Sequence, residues 1–322
     1  MQLKRVVILL LVLFAAGSSG VAQERSAKYV PVIDSAWQTL FEPSIEGDYI
    51  NDHAVFQDPE GDWHLIGISS HHGNILREIY FAHGVTGSPD EPMRELPRLF
   101  DGYPDTKRKY APFVFKDGDT YHLYAGPGDI RHYTSRDGYE WEFVGIAIPA
   151  DWSGLRDTMV IKLENGTYLQ YATDIGNKIS VWESEDLYNW KNKRTAFQAR
   201  FPAPVWPNGF PGSTESPFII KYGDYYYLSV CLTNYPLYLN SYNNTIILRS
   251  KDPCEFGVFT AGTKKQTAEH VTTLKCHCAE YIRDENGQWY ITSGGWLGFP
   301  AHKGKKQGTA AVARLRWEKE SP

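Results

Sequence analysis

Methionine and cysteine are scarce in this chain, with 3 Met and 4 Cys among 322 residues. Cys231, Cys254, Cys276 and Cys278 are too few for a dense disulfide framework, and they lack the paired spacing of a zinc finger. They read as small core residues and supply no metal ligands, although a Cys231 to Cys254 bridge is conceivable in an exported protein. Cys276 and Cys278, two apart in an expected strand, should point to one face. Long runs of like charge are also missing. A formal charge of -5, spread along the chain, gives no footing for nucleic acid or an anionic membrane surface and favours a neutral or small partner. Convincing helical periodicity is absent through the middle of the chain, which argues against a helical architecture.

The one long apolar run lies at the start, from Val6 to about Ala16. It follows Lys4 and Arg5 and ends in small residues at Ala22. That is the pattern of a signal peptide, and the run is shorter than the roughly 20 residues that span a bilayer. Residues 1–22 are therefore expected to be removed on export to the periplasm or the exterior, leaving no membrane attachment. The remaining 23–322 contain no Pro/Ser-rich break and are expected to form one domain.

Aromatic residues, by contrast, are plentiful, at 14% of the chain with 10 Trp and 21 Tyr. They suit β-strands, and those in loops also suit stacking on the apolar faces of sugar rings. Many recur in a fixed setting, an entry residue, a short apolar strand, a Gly turn and an aromatic strand, that fits five segments. These are NDHAVFQDPEGDWHLIGI from Asn51, KYAPFVFKDGDTYHLYAG from Lys109, RDTMVIKLENGTYLQYAT from Arg156, STESPFIIKYGDYYYLSV from Ser213 and HCAEYIRDENGQWYITSG from His277. Runs such as HYTSRDGYEWEFVGI and ISVWESEDLYNWKN lie between them and read as outer strands, each with a turn closing on an aromatic plug, Trp141 or Trp190. The pattern predicts an all-β, five-bladed β-propeller with the first strand of each unit around a central channel. A two-sheet sandwich, the other all-β solution, leaves the recurrence of acids at the entries unexplained.

Three entries are acidic. Asp52, Asp157 and Glu215 precede their turn glycines by nine, nine and eight positions. On a propeller they converge at one mouth of the channel, where neighbouring charges separate the proton affinities of a base and an acid. Two carboxyl groups of unequal pKa flanking a cleft are what hydrolysis of a glycosidic bond requires. The carboxylates in the Gly turns, such as Asp58, Asp117, Asp224 and Glu285, read as ordinary solvent-side residues.

At these residues the sequence resembles a known group. Asn51-Asp52, Arg156-Asp157 and Glu215-Ser216-Pro217 look like the three acidic blocks of the five-bladed propeller glycosidases, glycoside hydrolase families 43, 32, 68 and 117. The resemblance implies Asp52 as general base or nucleophile, Asp157 as pKa modulator and Glu215 as general acid. His53 and Thr158 stand where fructan-cleaving members carry Pro, which leans the resemblance toward the family 43-like or 117-like branch and toward inversion. It implies a plant or algal oligo- or polysaccharide as substrate. No cofactor is implied, but a structural calcium or sodium ion near the axis, beside His277, is. A carbohydrate-binding propeller without catalysis and a retaining fructosidase-type enzyme are the alternative functions.

Further candidates surround these acids. Arg156 can clamp a sugar hydroxyl or the Glu215 carboxylate, and His277 stands at the fifth entry. Trp206 and Trp296, in Gly/Pro-rich loops, are candidates for sugar stacking, and His72 for a loop folding over the mouth. His53 should point away from Asp52 by strand alternation.

Overall fold

The computed structural model describes residues 26–70, 77–101, 107–201, 212–233, 243–263, 266–294 and 308–321. Two short strands come first, β1 (Tyr29–Ile33) and β2 (Gln38–Phe41). The first predicted unit follows as β3 (His53–Gln57) and β4 (Trp63–Ser69), continued by β5 (Tyr80–Thr86) and β6 (Arg94–Leu99) into one antiparallel four-stranded sheet. The second blade runs β7 (Tyr110–Asp117), β8 (Thr120–Gly126), β9 (Ile130–Ser135) and β10 (Glu142–Ile148). The third comprises β11 (Arg156–Lys162), β12 (Tyr168–Asp174), β13 (Lys178–Ser184) and β14 (Lys191–Arg200). In the fourth, β15 (Ser213–Tyr222), β16 (Tyr225–Thr233) and β17 (Thr245–Ser250) are joined by β19 (Glu269–Leu274). Between β17 and β19 the chain sends β18 (Gly257–Thr260) across to pair in parallel with β14, tying the fourth blade to the third.

The fifth blade is closed by both ends of the described chain. Its inner strands β20 (Tyr281–Arg283) and β21 (Trp289–Ser293) continue into β22 (Ala310–Lys319). The outer edge of β22 is then covered by β1, from Tyr29 opposite Lys319 to Ile33 opposite Leu315. This pairing links the two termini, so the ring is closed by backbone hydrogen bonds as well as by packing. The fold is thus the all-β, five-bladed propeller that the repeats predict, and there is no α-helix among the described residues.

The core lies between blades. Between the first and second, Phe56, Ile66, Phe81, Val114, Tyr121 and Leu123 are buried together. Between the fourth and fifth, Tyr227, Ile247, Tyr281, Ile291 and Leu315 do the same. These side chains alternate along strands buried on both faces, which is why the second strand of each unit reads as a near-continuous apolar run.

The outer turns form as expected. Asp137 Oδ1 accepts the backbone N–H groups of Tyr139 and Glu140 at 2.8 and 3.0 Å, and Asp186 Oδ1 those of Tyr188 and Asn189 at 2.9 and 2.8 Å. Trp141 and Trp190 follow these turns; the Trp190 ring packs edge-on against Tyr124 at 6.0 Å.

Candidate active site

Four of the five innermost strands enter the axis through the same irregularity. The pairing of β7 with β8 slips between Tyr110 and Phe113, that of β11 with β12 between Arg156 and Met159, and that of β15 with β16 between Glu215 and Phe218. In each, the residue after the slip begins carries a positive φ: Ala111 at 39°, Asp157 at 54° and Ser216 at 51°. Cys278, at 43°, holds the same place in the fifth blade. Non-Gly residues in the left-handed region cost on the order of 1–3 kcal/mol each and gather where surrounding structure requires them. Here the bulge turns side chains toward the axis.

The bulges also refine the placement of the acids. Asp157 is itself a bulge residue, whereas Glu215 precedes its bulge residue, Ser216. Glu215 is therefore equivalent to Arg156, Tyr110 and His277, and its spacing of eight reflects a hairpin two residues shorter than that of the third blade, where Arg156 precedes Gly166 by ten.

The offset sets the electrostatics. Arg156 on the third blade faces Glu215 at the equivalent place on the fourth, and Arg156 Nη2 donates to Glu215 Oε1 at 2.7 Å. Arg156 Nε lies 3.4 Å from Asp157 Oδ2, which also accepts the backbone N–H of Ser216 at 3.2 Å. Asp157 Oδ1 is buried and has no hydrogen-bond partner among the described residues. Burial, with the Asp52 and Glu215 charges adding to it, outweighs Arg156 and Ser216 and pushes the Asp157 carboxyl up to about 7.

Asp52 has the opposite setting. Its Oδ1 lies 3.0 Å from His277 Nε2, and the His277 Nδ1 side meets Cys231 Sγ at 3.1 Å. Burial alone would raise the Asp52 carboxyl, but His277, Cys278 and Arg156 together hold it below the ordinary carboxylate value. His277 moves the other way. Burial disfavours its charged form, yet Cys231 and Asp52 raise it well above the usual imidazole value. Asp52 and Asp157 line one small cavity together with Ala111, Pro112, Ser216 and Cys278. Two carboxyl groups on one channel are thus displaced in opposite directions, which divides ionised from protonated carboxyl near neutral pH.

Other expectations resolve individually. His53 Nε2 meets Thr292 Oγ1 at 2.7 Å, and its Nδ1 lies 3.1 Å from Asn51 O and 3.7 Å from Cys278 Sγ. His72, Trp206 and Trp296 lie outside the described residues. The Cys231 to Cys254 bridge is not formed: Cys231 is buried against His277, and Cys254 sits near Arg194 Nη2 at 3.2 Å. Nor do Cys276 and Cys278 share a strand face. Both precede β20, and the positive φ of Cys278 turns it toward Asp52 while Cys276 packs in the apolar core.

Two buried acids join the axis unforeseen. Glu280 lines the cavity beside Asp52, and burial raises its carboxyl well above the usual range. Glu78, also raised by burial, hydrogen-bonds Tyr49 and feels the Asp52 charge. Glu280 is visible in the repeat, since it follows the fifth entry residue by three. Glu78 lies in the connection to β5, outside the template, and carries no local signal.

No family model matches the sequence, and no curated protein does. Solved structures do. Over 88% of this chain and 96% of its own, a thermostable family-43 glycoside hydrolase aligns with a TM-score of 0.62 at 15% identity. The chain has the fold of the five-bladed propeller glycosidases. An exo-1,5-alpha-L-arabinanase from a bovine ruminal metagenomic library shares this propeller at TM-score 0.60 and 17% identity, over 85% of this chain and 97% of its own. So does an alpha-L-arabinanase from Penicillium chrysogenum complexed with arabinobiose, at TM-score 0.57 and 15% identity, over 88% and 98%. Within the propeller-glycosidase fold, the axial mouth that holds Asp52, Arg156, Asp157 and Glu215 is the place where blades of different sequence converge.

Proposed function

We propose that the chain is an exported glycoside hydrolase that cleaves plant or algal oligo- or polysaccharide with inversion at the anomeric carbon. The observation that carries the reading is the pairing of Arg156 with Glu215 across two blades, beside Asp157 and on the channel that Asp52 lines.

Asp52, kept ionised by His277, takes a proton from the attacking water. Glu215 gives its proton to the leaving oxygen as the glycosidic bond breaks. In the free protein Glu215 is ion-paired with Arg156; a sugar entering between them replaces the salt bridge with its own hydroxyls, and Glu215 then takes up from solvent the proton that it gives to the leaving oxygen. Asp157, protonated below about pH 7, keeps a second negative charge away from Glu215 and orients the backbone at Ser216. Arg156 clamps a hydroxyl of the bound sugar.

The test is a screen of arabinans, xylans and algal galactans on the mature chain, with NMR of the first product anomer. Release of reducing ends with the inverted anomer supports the proposal. Saturable glycan binding with no bond cleaved contradicts it, and a retained anomer refutes the inverting assignment.

A further inference from the structure

Around His277 the donor set is at odds with the calcium or sodium ion that the family resemblance implies. Calcium takes about 6–8 oxygen ligands. The groups that converge here are one carboxylate oxygen, one imidazole nitrogen and one thiol sulfur, from Asp52, His277 and Cys278, all within 4.8 Å of one another. Nitrogen, sulfur and a single carboxylate are instead the ligands of zinc and other thiophilic divalent ions.

The geometry is close to what such an ion needs. Ligand atoms at about 2.0–2.3 Å from a shared zinc stand roughly 3–4 Å apart, and His277 Nε2 and Asp52 Oδ1 are already 3.0 Å apart. The other imidazole nitrogen is fixed from behind by Cys231 Sγ at 3.1 Å, the outer contact that orients a metal-binding histidine. Beside Asp52 and Cys278 lies a cavity of about 20 Å³, enough for roughly one water-sized ligand at a fourth position. The backbone holds Cys278 in place, because Gly294 opposite it leaves no room for a side chain: a Cβ there would stand 2.3 Å from the Cys278 sulfur.

We infer that Asp52, His277 and Cys278 form a site for one thiophilic divalent cation of the zinc class, three protein ligands with one position open to the channel. Occupation puts a divalent charge on the Asp52 carboxylate and removes the basicity with which it takes a proton from water, so zinc silences hydrolysis. This second half rests on the proposed function, whereas the binding does not.

The binding is measured on the mature, metal-free chain without any sugar, by equilibrium dialysis with zinc chloride and by absorption during titration with cobalt chloride. The expected result is one ion per chain, a thiolate-to-cobalt charge-transfer band, and displacement of cobalt by zinc. Cys278→Ser should abolish the band and weaken zinc binding at least tenfold, whereas Cys254→Ser and Cys276→Ala should leave both unchanged. Absence of saturable zinc binding to the unaltered chain overturns the site, as does bound cobalt without a thiolate band. A band that survives in Cys278→Ser or vanishes in Cys254→Ser overturns it too. Zinc that binds as expected but leaves glycan cleavage intact removes only the silencing.

Discussion

Arg156 and Glu215 occupy equivalent places on adjacent blades and meet at 2.7 Å between Nη2 and Oε1. A guanidinium in that position serves two carboxyl groups, since it also lies 3.4 Å from Asp157. Replacing it by Met of similar length keeps the packing and removes a charge-assisted hydrogen bond worth about 1.5–3 kcal/mol. The proposed function predicts that Arg156→Met lowers kcat/KM by roughly 10–150-fold, with Arg156→Lys recovering part of it. Steady-state kinetics on the best glycan checks this, and a variant as fast as the parent would remove Arg156 from the site.

Gly126, at the end of β8, stands against the chain that delivers Arg156. A Cβ at Gly126 would meet Leu155 O at 2.9 Å and Arg156 Cα at 3.0 Å, both backbone and neither able to swing aside. Overpacking of this kind costs typically about 1–3 kcal/mol. Gly126→Ala is expected to lower activity more than its fall in thermal midpoint explains, because the displaced group carries Arg156. Calorimetry and kinetics on one preparation separate the two effects.

His277 is the largest favourable influence on the charged form of Asp52. With His277→Gln the Asp52 carboxyl loses it and rises. The acid limb of the kcat/KM profile, which reports the free enzyme's base, should therefore move to higher pH. A lowered rate with an unmoved limb would mean that His277 acts only in packing.

Three buried histidines outside the acid–base pair should weaken the fold in acid. Burial pushes His83 and His132 down to about 3, each aided by a neighbouring histidine, and pushes His53 down to about 4. Their ordinary value is about 6.5, so below that pH the unfolded chain takes up protons that the folded chain refuses. The stability tied to these groups is whole above about pH 6.5 and is lost progressively toward pH 3–4. Asp157 runs the other way: its raised carboxyl favours the folded state below the ordinary carboxyl value and loses that contribution as pH rises through about 7. Glu78, Glu280 and His277, also raised, act in the same sense as Asp157. The histidine contribution is isolated by comparison with the parent: His132→Gln should keep more of its thermal midpoint between about pH 6.5 and 4.

Much of this was legible in the sequence, and the parts that were not share a cause. The five hairpins declare themselves because Gly turns and aromatic second strands are local signals, repeated in Gly61, Gly118, Gly166, Gly223 and Gly287. The acids declare themselves by position within the repeat. Closure of the fifth blade does not, because β1 is five residues, YVPVI, whose partner Lys319 to Leu315 lies at the far end of the chain. The one-residue offset between Asp157 and Glu215 is hidden because a bulge changes the register without changing composition. The proximity of Cys231, His277 and Cys278 to Asp52 is equally hidden. It joins the first, fourth and fifth blades, and nothing in a local stretch records which blades meet.

The central claim is that Asp52 and Glu215 act as base and acid on a glycosidic bond. It is tested most directly by turnover of the best glycan by the parent, Asp52→Asn and Glu215→Gln, each checked for an unchanged thermal midpoint. Each substitution removes one proton-transfer group, and the account predicts that either lowers kcat by about 10²–10⁴-fold. Variants that are folded and cleave the glycan as fast as the parent would contradict it.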